Sequence, residues 1–276
     1  MTYASGGTLI AADLDRTLIY SAQALALAMP DEQAPRLLCV EVCHGRPLSF
    51  LTERAAALLA ELAAVTEFVP VTTRTRQQYR RVHLPGGEPR FAICANGGHI
   101  LVDGRTDRDW HHEVRRSLDS SSAPLGEVLD ELTRAAERDW LHAARVAEDL
   151  FVYLVVDRQR LPEGWLKELS GWTEARGWTV SLQGRKLYAV PKQLTKSAAL
   201  AEVVRRTGAA RVLAAGDSLL DTDLLLAADK GWRPGHGELA DTGWHAPHIT
   251  ALDTVGAAAG EGILRRMAAW VEGTVL

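Results

Sequence analysis

Two aspartates one residue apart, Asp13 and Asp15, stand in the pentapeptide Asp13-Leu14-Asp15-Arg16-Thr17, directly after a short apolar run from Thr8 to Ala12. On an extended backbone, side chains two apart project to the same side, so the two carboxylates leave the strand as a pair. Two close carboxylates do not ionise at the same pH, because the first charge opposes the second. One can stay ionised as a nucleophile while its neighbour carries a proton, the division of labour needed for covalent catalysis on a phosphate ester. A carboxylate pair is also a hard-oxygen site for magnesium, which keeps some of its waters and bridges to phosphate.

Three further pieces fit the same chemistry. Thr72-Thr73-Arg74 follows the run Phe68 to Val71, where a hydroxyl at a strand end can donate to a phosphoryl oxygen. Lys196 stands at a helix start, where an ammonium would hold both an anion and the charge of the nucleophile. Lys192, four residues earlier, could also reach a site, but the helix start favours Lys196. Gly216-Asp217-Ser218-Leu219-Leu220-Asp221 follows the run Val212 to Ala215 and supplies further carboxylates for a metal, with Gly216 allowing a sharp bend. Each piece alone is an ordinary turn or cap. Together, each after an apolar run or opening a helix, they form one constellation.

The elements that must present these residues are legible too. Thr8–Ala12, Phe68–Val71, Phe91–Ala95 and Val212–Ala215 are short, bounded by turn residues, and read as strands buried on both faces. Leu48 to Ala64 carries Leu51, Ala55, Leu58, Leu59 and Leu62 on one helical stripe. Thr195 to Thr207 reads as a helix with Thr195 as N-cap and Gly208 as its stop, and Gly256 to Val271 as a C-terminal helix. Strands alternating with helices make a parallel sheet covered on both faces, with ligands at the carboxyl ends of the strands.

The middle of the chain differs. Leu125 to Leu141 reads as a helix with Pro124 in its first turn, and Glu163 to Ala175 as another. Leu150–Val156, Trp178–Leu182 and Lys186–Val190 read as strands, and Ser120-Ser121-Ser122 as a loop. No motif-bearing acidic strand end occurs there. The expected architecture is α/β: a Rossmann-like parallel-sheet core over residues 1–104 and 186–276, with an α+β domain inserted over 105–185.

Bulk properties exclude several classes. Of the 276 residues, 47% are hydrophobic and 24% charged, the balance of a soluble globular protein. The net charge of -4 leaves no basic excess for nucleic acid or anionic lipid. No apolar run is long enough to cross a bilayer, and Met1 to Gly7 lacks the basic start and apolar stretch of a secretory signal. Three cysteines, Cys39, Cys43 and Cys94, argue against a disulfide framework and for a reducing compartment, so a cytoplasmic location is expected. Cys39, Cys43 and His44 have no fourth soft ligand at zinc spacing. Oligomeric state leaves no mark in the sequence.

In residue type and order the constellation resembles the four motifs of the haloacid dehalogenase (HAD) superfamily, and the resemblance covers the whole chain. Asp13, Asp15 and Thr17 match the first motif, Asp-x-Asp-x-Thr; Thr72 matches the second; Lys196 matches the third; Asp217 and Asp221 match the fourth, Gly-Asp-x-x-x-Asp. The insert between the second and third motifs looks like a type 2B cap, and Asn96-Gly97-Gly98 is similar to the step that precedes it, which points to subfamily IIB with its Cof-type and sucrose-phosphate phosphatases. The resemblance implies a magnesium-dependent phosphomonoester hydrolase for a small phosphorylated metabolite, a sugar phosphate or nucleotide. It implies that Asp13 forms an aspartyl-phosphate, and that Asp15 protonates the leaving oxygen and then activates water. Magnesium would be held by Asp13, the backbone carbonyl of Asp15, and Asp217, with Asp221 close by. Thr72 and Lys196 would hold the phosphoryl group. Candidate substrate contacts are Thr17, Thr73, Arg74, Asn96, Gly97 and Arg185, the last from its position near the return to the core. A phosphomutase of the same superfamily and a non-catalytic sensor of a phosphorylated ligand are the alternatives.

Arg16 stands where the family usually has Gly, and Leu220 where it usually has Asn. Asp13 and Thr72 are 59 positions apart, longer than usual, and the extra segment, Asp31 to Pro47, holds Leu37–Val42. That stretch is expected to form a small hairpin near the site or, by slight preference, a surface elaboration. Trp110, Trp140, Trp165, Trp172 and Trp178 are expected to fill the core of the insert rather than stack on a ligand. Arg80, Arg81 and His83 could face an anion or solvent. Adjacent His111 and His112 are expected on the surface of a strand.

Overall fold

Leu9, Ile10, Ala11 and Ala12 are wholly buried without alternation, as expected of a strand covered on both faces. In the computed structural model, which describes residues 7–135 and 139–273, the strands in chain order are β1 (Thr8–Ala12), β2 (Leu37–Cys43), β3 (Arg46–Thr52), β4 (Glu67–Pro70), β5 (Phe91–Cys94), β6 (His99–Val102), β7 (Arg105–Thr106), β8 (Leu141–Ala147), β9 (Phe151–Val156), β10 (Trp178–Gln183), β11 (Lys186–Pro191), β12 (Arg211–Ala215), β13 (Lys230–Arg233) and β14 (Ile249–Ala251). They fall into two units: Met1–Thr106 with Lys196–Leu276, and the inserted Asp107–Thr195.

The first unit is built on a parallel sheet ordered β14-β13-β12-β1-β4. β1 lies between β12 and β4, with Ala12 level with Ala215 on one side and Pro70 on the other. The chain therefore leaves all three strands at one height, and Asp13, Gly216 and Val71 emerge side by side. A parallel bridge from Val71 to Ile93 adds the end of β5 to this edge. The helices Glu53–Val65 and Gly256–Glu272 cover the sheet. Leu59, Leu62, Ile263, Leu264 and Met267 pack with Ile10, Ala12, Leu213 and Ala215 in one core cluster. Burying each of the larger apolar side chains contributes about 1.5–3 kcal/mol.

The helix expected from Leu48 begins only at Glu53. Residues Arg46–Thr52 instead form β3, paired with β2 in an antiparallel hairpin. The Thr52 hydroxyl accepts the Ala55 amide at 3.0 Å and starts the helix there. The leucine stripe read locally as helix, but a cross-strand partner took its first turn.

The second unit has an antiparallel sheet ordered β10-β11-β9-β8 and the helices Arg108–Ser121, Leu125–Ala135 and Trp165–Glu174. β11 bonds to both β10 and β9, so residues 186–195, expected in the core, stay with this unit, and Arg105–Thr106 stay with the other. His111 and His112 lie on the Arg108–Ser121 helix, not on a strand, and Ser120 and Ser121 close that helix with hydroxyls bonded to the Ser117 carbonyl. The helix expected over Leu125 to Leu141 runs to Ala135; residues 136–138 lie outside the described residues, and Leu141 opens β8. Trp140 and Trp178 are buried, the former edge-on to Trp165 at 4.7 Å and the latter donating to the Ala123 carbonyl at 3.0 Å.

No helix among the described residues is long and apolar enough to cross a membrane. The expectation about a leader falls largely on residues 1–6, outside the described residues.

Candidate active site

Asp13 is the first residue beyond β1, and its amide donates to the Ala215 carbonyl at 2.9 Å. Its side chain is almost wholly buried. Lys196 opens the helix Lys196–Thr207 and is 1% exposed. Its Nζ donates to Asp13 Oδ1 at 2.7 Å and to Asp221 Oδ1 at 2.5 Å. Lys192 lies in the second unit, where it pairs with Glu174 at 3.3 Å.

Asp221 has both oxygens engaged. Oδ2 accepts the amides of Asp217 and Ser218 at 3.1 and 2.9 Å and the Ser218 hydroxyl at 2.7 Å. These bonds close the 216–221 turn. A Cβ at residue 216 would collide with the Asp221 side chain, so Gly216 is needed for close approach. Gly237, at φ +89°, brings its backbone against Asp217; a Cβ there would lie 2.5 Å from the Asp217 carboxylate.

Asp13, Asp217 and Asp221 offer carboxylate oxygens within 4.8 Å of one another, all buried. Lys196 supplies an ammonium within this group and Arg16 a guanidinium at its edge, its Nε 3.3 Å from Asp217 Oδ2. Burial pushes the Asp13 carboxyl up; Lys196 opposes the rise, while Asp221 and Asp15 reinforce it, and the group reaches about 7. Burial, then Asp13 and Asp221, hold Asp217 well above the usual carboxylate range against Arg16 and Lys196. Burial works against the charge on Lys196, but Asp13 and Asp221 outweigh it and keep the ammonium protonated. Hard oxygen donors crowded at this negative charge fit a divalent cation.

Arg16, where the motif family usually has Gly, adopts φ +65°. Its carbonyl accepts from His236 Nε2 at 2.7 Å, while His236 Nδ1 accepts the Gly256 amide at 3.1 Å. These partners place the ring proton on Nε2, and burial lowers the His236 pKa, so the ring is neutral. Nothing around His236 in the sequence marks this role. Thr17 is fully buried and its carbonyl accepts the Tyr20 hydroxyl at 2.9 Å, so it braces the turn.

Thr72 is also fully buried. Its hydroxyl accepts the Arg74 amide at 3.1 Å, which leaves the hydroxyl proton to donate. Its carbonyl accepts the Asn96 amide at 3.0 Å, and the Arg74 carbonyl accepts that of Ala95 at 2.8 Å. The Ala95–Gly97 turn, all at positive φ, is thereby strapped to the Thr72–Arg74 loop. Asn96, Gly97 and Thr73 are buried there. Arg74, expected against substrate, is committed elsewhere: Nε and Nη2 bond Asp15 Oδ2 and Oδ1 at 2.7 and 2.8 Å, and Nη1 pairs with Glu41 at 2.8 Å. Asp15 itself is 38% exposed. Arg185 is exposed on the turn between β10 and β11 in the second unit.

A parallel sheet with acidic loops at the ends of β1 and β12 and an inserted α+β unit is the haloacid dehalogenase fold with a cap-type insertion. As a sequence, the chain matches no protein-family model and no curated protein. As a structure it is similar to the sucrose-phosphatase from Synechocystis sp. PCC6803, solved with sucrose and phosphate, at a TM-score of 0.66 and 15% identity over 97% of this chain and 98% of that one. A sugar phosphatase of haloacid dehalogenase subclass IIB matches at a TM-score of 0.57 and 14% identity, over 95% and 98% of the two chains. A phosphatase of the superfamily from Bacteroides thetaiotaomicron matches at 0.57 and 13%, over 97% and 96%.

Proposed function

We propose that this chain is a magnesium-dependent phosphomonoester hydrolase of the cytoplasm that acts on a small phosphorylated metabolite, a sugar phosphate in the first instance. The observation that carries the proposal is the convergence of Asp13, Lys196, Asp217 and Asp221, from three separate stretches of sequence, into one buried cluster close to Asp15. The likeness to sugar phosphatases over nearly the whole length supports the choice of substrate class.

Asp13 attacks phosphorus, a P–O bond forms to its carboxylate, and the bond to the ester oxygen breaks. For this step Asp15 leaves its paired bonds to Arg74 and takes up a proton, which it gives to that leaving oxygen. It then takes a proton from the water that attacks the aspartyl-phosphate, which frees phosphate and restores Asp13. Lys196 and the Thr72 hydroxyl donate to the phosphoryl oxygens as charge shifts onto them. Asp13, Asp217 and the backbone carbonyl of Asp15 would hold magnesium, with Asp221 orienting the loop through its own filled bonds. When bound, the ion neutralises charge between carboxylates and phosphate.

The test is phosphate release from p-nitrophenyl phosphate and a panel of sugar phosphates and nucleotides, with magnesium and with chelator. Magnesium-dependent release supports hydrolysis and ranks substrates. Transfer between two positions of one sugar without free phosphate would replace the proposal with a phosphomutase, and tight binding without turnover with a sensor.

Metal binding has a thermal signature. The Asp13 carboxyl lies at about 7 in the folded chain against 3.8 for the ordinary group. Between those values the folded state binds the extra proton, so without metal this group costs stability as pH rises from about 4 to about 7. Magnesium requires the ionised form, so its upshift of Tm is expected to be larger at pH ~8 than at pH ~5. Differential scanning fluorimetry checks this; a shift independent of pH would remove Asp13 from the ligand set.

A further inference from the structure

We infer that Arg16 is an internal counter-cation of the metal site: its guanidinium occupies the Asp217 carboxylate in the metal-free chain, weakens the binding of a divalent cation there, and makes that binding depend on the anion that arrives with it. The inference rests on the proposed metal-dependent activity and deepens it.

The backbone marks position 16 first. Arg16 is held at φ +65°, in the left-handed region where a side chain is strained and glycine is not. Two hydrogen bonds impose that conformation. The Arg16 amide donates to the Ile19 carbonyl at 2.8 Å, and the Arg16 carbonyl accepts from His236 Nε2 at 2.7 Å. Glycine would make the same two backbone bonds without the strain, so what an arginine adds here is its guanidinium.

Asp217 is the fixed half of the pair. Its amide donates to Asp221 Oδ2 at 3.1 Å, its carbonyl accepts the Leu239 amide at 3.1 Å, and Gly237 packs too closely against it to admit a Cβ. The Asp217 side chain is 5% exposed and that of Arg16 is 35% exposed, with Nε 3.3 Å from Oδ2. Among the described residues, each is the only side chain within ion-pair distance of the other. Lys196 is taken up by Asp13 and Asp221. A buried carboxylate left unpaired is costly, so Arg16 neutralises the one carboxylate of the cluster that Lys196 does not reach.

A divalent cation held by Asp13 and Asp217 would compete with Arg16 for the same carboxylate and would meet a like charge already in place. Asp217 is fixed and Arg16 is partly open to solvent, so the guanidinium is the group that gives way. It then has no carboxylate of its own and stands beside a second cation. An anion entering the site relieves both. Cation and anion therefore tighten each other by the same factor, and Arg16 enlarges that factor beyond the direct attraction between the two ligands.

The test measures ion binding directly. Manganese takes the same oxygen ligands as magnesium, and the free ion is counted by its electron paramagnetic resonance signal. In the full chain stripped with chelator, Arg16→Gln is expected to bind manganese about tenfold more tightly than wild type in the absence of an anion, because one like charge near the ion is gone. Saturating inorganic phosphate is expected to tighten manganese binding by a larger factor in wild type than in Arg16→Gln. Arg16→Lys, which keeps the charge, is expected to lie closer to wild type than to Arg16→Gln. Should Arg16→Gln fail to fold, Arg16→Gly, the residue this backbone conformation favours, is expected to show the same tightening. Equal dissociation constants in wild type and Arg16→Gln, or weaker binding in the variant, would overturn the inference and leave Arg16 as a surface ion pair. A wild-type chain that binds no manganese, or an Asp217→Asn chain that binds it as tightly as wild type, would overturn the metal set of the proposed activity, and the inference with it.

Discussion

Replacing Asp13 with Asn is expected to abolish magnesium-dependent phosphate release, by on the order of 10⁴-fold or more in kcat, because an amide cannot form the acyl-phosphate on which both half-reactions of the proposed hydrolysis depend. The same change is expected to leave the fold as stable as before, or more so, in chelator above pH ~7. Three buried carboxylates crowd Lys196 there, and burial, reinforced by the charges of Asp221 and Asp15, lifts Asp13 to about 7. The substitution removes one of the three carboxylates, while Lys196 keeps its bond to Asp221. Phosphate assays beside thermal melts separate the two effects. Full activity in the variant would eliminate Asp13 as the nucleophile; lost activity with an unchanged or raised Tm is the outcome expected of a residue kept for chemistry at a cost in stability.

Lys196→Met is expected to act in the opposite way on stability. The stem length is conserved, but the ammonium that bonds Asp13 and Asp221 disappears from a position 1% exposed. Breaking a buried pair by removing one partner costs about 3–5 kcal/mol, because the remaining charges stay buried without compensation. Activity is expected to fall by about 10²–10³-fold as well, since in the proposed reaction the same ammonium stabilises the phosphoryl charge. The sign of the pH dependence follows from the carboxylates. With Lys196 gone, the folded-state pKa of Asp13 rises further above its unfolded value, so the loss is largest above the folded pKa and shrinks as the groups protonate on acidification. Urea unfolding in chelator at pH ~5 and pH ~8 should show the variant closer to wild type at the lower pH. An unchanged urea midpoint at both would mean that the cluster is not held together by this lysine.

Both predictions begin from residues that local pattern alone picks out. Asp13 and Asp15 are marked by an apolar run that ends in a pair of carboxylates, and Asp217 and Asp221 by a second such run followed by a glycine turn. These signals survive translation into structure because buried parallel strands have no alternation to blur, and their carboxyl ends are where loops are free to carry polar groups. The strands at Thr8–Ala12 and Arg211–Ala215, the helix from Lys196 and the C-terminal helix all fall within a residue of where periodicity puts them.

What periodicity misplaces are elements defined by a distant partner. Leu48–Thr52 looks helical by its leucine stripe, yet pairs with Leu37–Cys43. Lys186–Pro191 looks like the return to the core, yet bonds strands on both sides in the second unit. His236, Ser49 and Glu41 have no local signature at all, since a lone histidine, serine or glutamate acquires meaning only from what it touches. Arg74 shows the division most directly. Its type and place beside Thr72 single it out from sequence, but its partners lie 59 positions before it, at Asp15, and on a hairpin between them, at Glu41. The sequence alone thus determined which side chains are chemically equipped to act and which strands end beneath them. Only the tertiary structure decided which charge neutralises which, because charge pairing depends on distance and burial, and both are set by contacts between segments remote along the chain.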